Sequence, residues 1–140
     1  MERLPEWERG TPAVLCAAGP HPIPISTAVR VGDDRVMFAL GREREVLRRL
    51  REDDRAALLV MGKGLAFTAH GSAAVVAEEL DVADTVVGVE LRVSRVQDHL
   101  ADGRTEMVDG ARWRWTDEQL AESEPKIWAE LERLGRARGG

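Results

Sequence analysis

Residues 87–94 read VGVELRVS, in which Val87, Val89, Leu91 and Val93 alternate with Gly88, Glu90, Arg92 and Ser94. Successive side chains of a strand point to opposite faces, so this period of two predicts a β-strand with one apolar and one wet face. Working toward the N-terminus, the acidic stretch Glu78 to Asp84 reads as a connector. Before it Leu65, Phe67 and Ala69 alternate with Ala66, Thr68 and His70. That strand is expected to continue past Gly71 to Val76, the glycine marking a bulge or a close backbone approach. Gly62-Lys63-Gly64 is a turn signal, so Ala56 to Met61 (AALLVM) is expected to be the other arm of a hairpin.

Further upstream, Arg42 to Asp53 (REREVLRRLRED) changes character. Val46, Leu47 and Leu50 recur at helical spacing among charged residues, which predicts an amphipathic helix entered at Gly41 and ended at Asp53-Asp54. Val36 to Leu40 (VMFAL) is a continuous apolar run, expected to be buried on both faces. Across the turn Gly32-Asp33-Asp34, a single strand is expected in which Ile23, Ile25, Thr27, Val29 and Val31 share one face. Ala13 to Ala18 (AVLCAA) reads as another buried strand closed by Gly19-Pro20, and Pro5 with Trp7 as one helical turn.

Downstream, Arg104 to Val108 and Ala111 to Trp115 flank Asp109-Gly110, a dipeptide suited to tight hairpins, and a last hairpin is expected there. Thr116 with Gln119 forms a candidate capping box for a terminal helix with an apolar stripe of Ile127, Trp128, Leu131 and Leu134. Pro125 is expected to break or restart that helix, with Ser123 as a second cap. Short strands separated by turns, with one mid-chain helix, predict a mainly β chain closed into an antiparallel barrel rather than a doubly wound parallel sheet.

Composition sets the outer limits. The chain has 140 residues, 44% hydrophobic and 32% charged, enough for one domain spanning 1–140 and unlike a disordered or fibrous sequence. A net charge of −5 argues against nucleic acid and anionic membrane surfaces as partners. No apolar run approaches the roughly 20 residues of a membrane-spanning helix, and the N-terminus MERLPEWERG lacks the basic-then-apolar order of a secretory signal, so a cytoplasmic protein is expected. The single Cys16 can form no internal disulfide and reads as a small buried side chain. His21, His70 and His99 are too scattered to suggest a metal set, and no metal is expected.

The succession AVLCAAGPHPIPIST, VGDDRVMFAL, EVLRRLREDDRAALLVM, AFTAHGSAAVV and VVGVELRVSRVQDH resembles the pyridoxamine 5'-phosphate oxidase-like split barrels, most closely their small actinobacterial members, over nearly the whole chain. The resemblance implies a six-stranded antiparallel split β-barrel of Greek-key type with one inserted helix and a C-terminal helix. It also implies a homodimer holding flavin mononucleotide (FMN), or a related deazaflavin, in a groove between subunits, and an oxidoreductase acting on a small-molecule substrate. In the oxidases a Ser-Arg-Lys run ahead of the helix and an arginine early in the second strand hold the cofactor phosphate. Here the lysine position falls at Val46 and the arginine near Ile25 or Ser26. Those two ligands have no counterpart, which keeps open a third reading, a dimeric binding module without cofactor.

The candidate binding residues follow. Arg42, Arg44, Arg48 and Arg49 around the helix start offer guanidinium forks and backbone amides to a phosphate, and Arg44 or Arg42 could fill the space of the missing lysine. Their structural alternative is a solvated, mutually paired helix face. Ser26 and Thr27 are hydroxyls in a greasy strand that could donate to a phosphate or a flavin carbonyl edge, or Thr27 could serve the strand alone while Ser26 faces water. Trp113 and Trp115, with Arg112 and Arg114 on the other face, could wall a planar cofactor or pack under the terminal helix. No side chain is an evident acid or base, which leaves the catalytic residues unassigned and the chemistry to a cofactor.

Overall fold

A computed structural model describes residues 3–139; Met1 and Glu2, where the stretch read for a secretory signal begins, and Gly140 lie outside it. Seven strands form one antiparallel sheet: β1 (Ala13–Ala17), β2 (His21–Ile25), β3 (Val29–Gly32), β4 (Arg35–Gly41), β5 (Arg55–Gly62), β6 (Leu65–Ala77) and β7 (Val86–Asp98). Their order is β2-β1-β5-β6-β7-β4-β3. The two edge strands, β2 and β3, are consecutive in the chain. Four residue steps from Ile25 to Val29 reach at most about 14 Å, at roughly 3.6 Å per residue, so the sheet must curl until its edges nearly meet. Because β2 and β3 share no ladder, the barrel is split along that seam.

The mainly β class and the antiparallel barrel match the expectation, with seven strands instead of six. The difference lies in the run from Ile23 to Val31, which forms two strands rather than one. β2 pairs with β1 and β3 pairs with β4, and residues 26–28 turn the corner between them. Thr27 continues the β3–β4 register with its side chain, since its Oγ1 accepts from Ala39 N at 3.0 Å and donates to Ala39 O at 3.1 Å. Two indoles fix the same corner: Trp7 Nε1 donates to Ala28 O and Trp128 Nε1 to Ser26 O, each at 3.0 Å. The helical turn expected at Pro5 and Trp7 is absent, the chain there being irregular.

The long strands bend where β6 shifts register between His70 and Gly71. Gly71 is required there, because a Cβ would overlap the carbonyl oxygen of Arg92. Inside the barrel Leu15, Phe38, Leu58, Phe67 and Leu91 are fully buried in one cluster. A second cluster lies outside it, where Met37 and Ala39 of β4 meet Val29, Leu80 and Leu131. β4 is therefore buried on both faces, as its uninterrupted apolar run requires. α1 (Glu45–Glu52) carries the chain from β4 to β5 and buries Val46, Leu47 and Leu50. Its other face is paired, with Arg49 on Glu45 and Arg48 on Glu52 at helical spacing.

α2 (Glu118–Arg138) covers β3 and β4, approaching so closely at Gly135 that a Cβ would overlap Val31. Its cap is Asp117, one residue after the expected Thr116, whose Oδ1 accepts from Gln119 N at 2.8 Å and Leu120 N at 3.4 Å. The helix runs through Pro125 without a break. The carbonyl that the proline leaves without a donor belongs to the exposed Ala121, where water can serve it. Ser123 accordingly is no second cap, and donates to Gln119 O within the helix.

The wet face expected on β7 is also not uniform. Glu90 is 2% exposed, facing α2 rather than solvent. Burial favours its neutral form, but Arg35, Arg138 and Arg92 donate to it and hold the carboxyl below its ordinary value. Arg35 also donates to Gly135 O, so the cluster latches the end of α2 to the sheet. The hairpin expected at Arg104–Trp115 does not form. Residues 104–115 run as an exposed arm without ladder pairing, with Gly64 N donating to Met107 O. As a hairpin it would set Arg104 and Glu106 beside Trp113 and Trp115 on one face and Arg112 and Arg114 on the other, and a two-stranded ribbon alone is marginal in water.

Candidate functional site

Above the 26–28 corner lies a pocket of about 560 Å³, within the roughly 300–1,000 Å³ of ligand sites. Its floor is Ile25, Ser26 and Thr27 with Ala39 and Gly41 of β4. One wall is the loop between β6 and β7, contributing Val82, Ala83 and Thr85. This loop is held by the buried Glu130 of α2, which accepts from Asp81 N at 2.8 Å and Val82 N at 2.9 Å. The opposite elements are residues 113–116 of the arm and the first half of α2, from Leu120 to Ile127. Arg44, the N-cap residue of α1, completes the lining.

Of the residues singled out from the sequence, the fold brings Ser26, Thr27, Arg44, Trp113, Arg114 and Trp115 to this one pocket. Ser26 is buried rather than facing water, and Thr27 spends its hydroxyl on Ala39. Trp113 and Trp115 are 50% and 48% exposed, so they are no part of a core. Among the described residues neither Arg44 nor Arg114 forms an ion pair, whereas all three arginines of α1 do. Arg42 and Arg48 are placed elsewhere. Arg42 donates to Asp84 O at 2.6 Å and to Glu78 O at 3.3 Å, tying the β6–β7 loop, and Arg48 pairs with Glu52. Both line a shallower recess of about 280 Å³ beside α1, which Arg44 also borders.

The acids of the site escaped the sequence reading. Glu124 is 7% exposed, lines the pocket and accepts from Trp115 Nε1 through its Oε2. A helical wheel holds the signal: Glu124 falls in line with Ile127, Trp128, Leu131 and Gly135, on the stripe that packs inward. The loop residues Val82, Ala83 and Thr85 carry no such signal, because tertiary bonds to Glu130 and Arg42 set their place. Among the described residues no group of three or more His, Cys, Asp or Glu is arranged to hold a metal ion. His99 is spent on Thr68 Oγ1 at 2.7 Å and His70 lies beside Arg95. No described helix is long and apolar enough to cross a membrane.

Comparison with known proteins gives the fold a class. No family model and no curated protein sequence matches the chain. Solved structures do. A pyridoxamine 5'-phosphate oxidase-like protein of Lactobacillus delbrueckii superposes with a TM-score of 0.57 at 16% identity, over 69% of this chain and 94% of its own. HupZ of Group A Streptococcus gives 0.55 at 12% identity, over 73% and 90%, and an F420 reductase 0.53 at 14%, over 67% and 98%. The chain thus has the split-barrel fold of the pyridoxamine 5'-phosphate oxidase-like proteins. At these identities the likeness is one of fold.

Proposed function

We propose that the chain is a flavin-binding oxidoreductase that works as a homodimer, with FMN seated in the pocket above the 26–28 corner. One observation carries this reading. Of the large hydrophobic side chains left exposed, Met61, Val82, Val108, Trp113, Trp115 and Leu120, four line the pocket: Val82, Trp113, Trp115 and Leu120. Exposed apolar area gathered around a cavity marks a surface meant to be covered. A planar cofactor between the indoles and a second barrel over the arm would cover it.

The residues present fit such a group. The pocket has flat aromatic faces, a buried serine on its floor and two arginines without ion pairs among the described residues, which suits a planar ring bearing a phosphate. Arg44 would hold the phosphate from the start of α1, Trp113 would cover the ring and Ser26 would meet its polar edge. Thr27 would act indirectly, by fixing the corner on which Ser26 sits. When bound, the flavin supplies hydride or electron transfer, and the polypeptide orients it and keeps water from it.

The direct test is reconstitution with FMN and titration of its fluorescence. Saturable binding at micromolar flavin is expected, and its absence overturns the reading. Arg44→Ala is expected to weaken binding by about 1.5–3 kcal/mol, roughly tenfold to hundredfold, for the lost charged hydrogen bond. Sedimentation gives the oligomeric state independently, with a dimer expected.

A second reading has its own observation. Arg44 borders both the main pocket and the recess lined by Arg42, Arg48 and Arg51, so an acidic tail such as a deazaflavin carries would run from one to the other past it. An F420 reductase is among the similar folds. Binding of a deazaflavin through that path would weaken steeply between low and high salt. A colourless dimer that binds neither group would leave the cofactor-free module.

A further inference from the structure

Among the described residues Glu124 is the one buried carboxylate that lines the pocket. An ionised carboxylate is an acceptor only, with two oxygens and about four lone-pair directions to fill. Trp115 Nε1 takes one of them on Oε2, and among the described residues no other donor reaches the group. Among the described residues no fully enclosed side-chain oxygen or nitrogen lacks a partner, so the free Oε1 keeps some accessible surface, in a residue that lines the pocket. Water can serve this oxygen, and a ligand that displaces water from it must bring a donor of its own or leave a mostly buried acceptor unmade.

We infer that Glu124 selects the pocket's ligand for an N–H donor on its ring edge, with Trp115 as the positioning residue that orients the carboxylate. This rests on the flavin reading above and goes beyond it. Flavins and deazaflavins share one such donor, the imide N–H of the pyrimidine-dione ring, between two carbonyls. A site built to accept from a ligand N–H rejects the analogue that lacks it, because its own acceptor is then left without a partner.

The experiment compares FMN with 3-methyl-FMN, and 5-deaza-FMN with its 3-methyl derivative, by quenching of tryptophan fluorescence in the whole protein. Wild-type protein is expected to bind each parent ring at least tenfold more tightly than its methylated partner. E124Q keeps the shape and, with its oxygen on Trp115, turns an NH2 donor toward the ligand, and is expected to lower affinity for the parent rings about tenfold while leaving the methylated ones nearly unchanged. W115F should lower the preference without removing it. Equal binding of parent and methylated rings by the wild type overturns the inference and leaves the flavin reading standing. A preference that survives E124Q undiminished is one of size, and overturns it too. Failure of every ring to bind overturns the flavin reading and this inference with it. Comparing the FMN and deazaflavin arms shows which ring the site takes.

Discussion

On β4, Phe38 points into the barrel and Met37, one residue earlier, points outward beneath α2. The two side chains are equally buried, yet what surrounds them differs. Inside, Phe38 meets Leu15, Leu58, Phe67 and Leu91 in a cluster that requires almost no polar ties. Outside, the smaller cluster around Met37 is held in place by single hydrogen bonds: Thr27 on Ala39, Trp128 on Ser26, Glu130 on the β6–β7 loop and the arginines on Glu90. The pocket belongs to this second layer. Stability is thus concentrated in the larger apolar cluster, and the ligand-sized space is framed by bonds that can be altered one at a time.

The contrast can be broken most forcefully from inside. Phe38→Ala is expected to cost about 3–5 kcal/mol, lost transfer energy plus cavity, measured as a fall in the denaturant midpoint. A loss below about 1 kcal/mol would mean that the inner cluster is not what holds the fold. Glu90→Gln tests the outer layer at its most charged point. Replacing the carboxylate by an amide takes the counter-charge from the half-buried Arg35, at about 3 kcal/mol. The sign of its pH dependence follows from the depressed folded value. The contribution is complete above the ordinary carboxyl value of 4.5 and is lost as the pH falls through the lower folded one. Wild-type stability should therefore drop more steeply below that range than that of Glu90→Gln, and parallel curves would show that the latch carries no linkage. Thr27→Val keeps the shape but leaves the Ala39 N–H and C=O without partners, an expected loss of about 1–3 kcal/mol.

What could be read from the sequence follows the same division. The inner layer was legible because alternation is a local signal: Val87, Val89 and Leu91 face the barrel as their spacing requires, and Val46, Leu47 and Leu50 bury the helix face they mark. Glu90 defeated the same rule, since alternation says only that it faces away from the barrel and not that α2 covers it. Thr27 defeated it differently. Its spacing matched a continuous strand, and its side chain does continue the ladder, while the backbone at 26–28 turns away under two indoles distant in sequence. The Asp109-Gly110 signal failed because turn chemistry proposes a hairpin and only an apolar face stabilises one. Arg44, Trp113 and Arg114 were legible as candidates, but Arg42 and Arg48 were indistinguishable from Arg44 until the fold gave the first two partners.

The smallest expected effect separates the layers most finely. Trp113 is half exposed on an arm with no ladder, so Trp113→Ala should leave the unfolding midpoint within about 0.5 kcal/mol of wild type, as surface substitutions do. A tryptophan on a surface costs the folded chain nothing to lose unless something covers it. If the arm is covered by a second barrel or a bound ring, the same substitution should weaken dimerisation or flavin retention while the denaturation curve of the dilute protein stays in place. A loss of several kcal/mol of stability in dilute, flavin-free protein would instead place Trp113 in the scaffold. The outer layer would then extend along the arm, and the pocket would lose its claim to be a surface waiting for a partner.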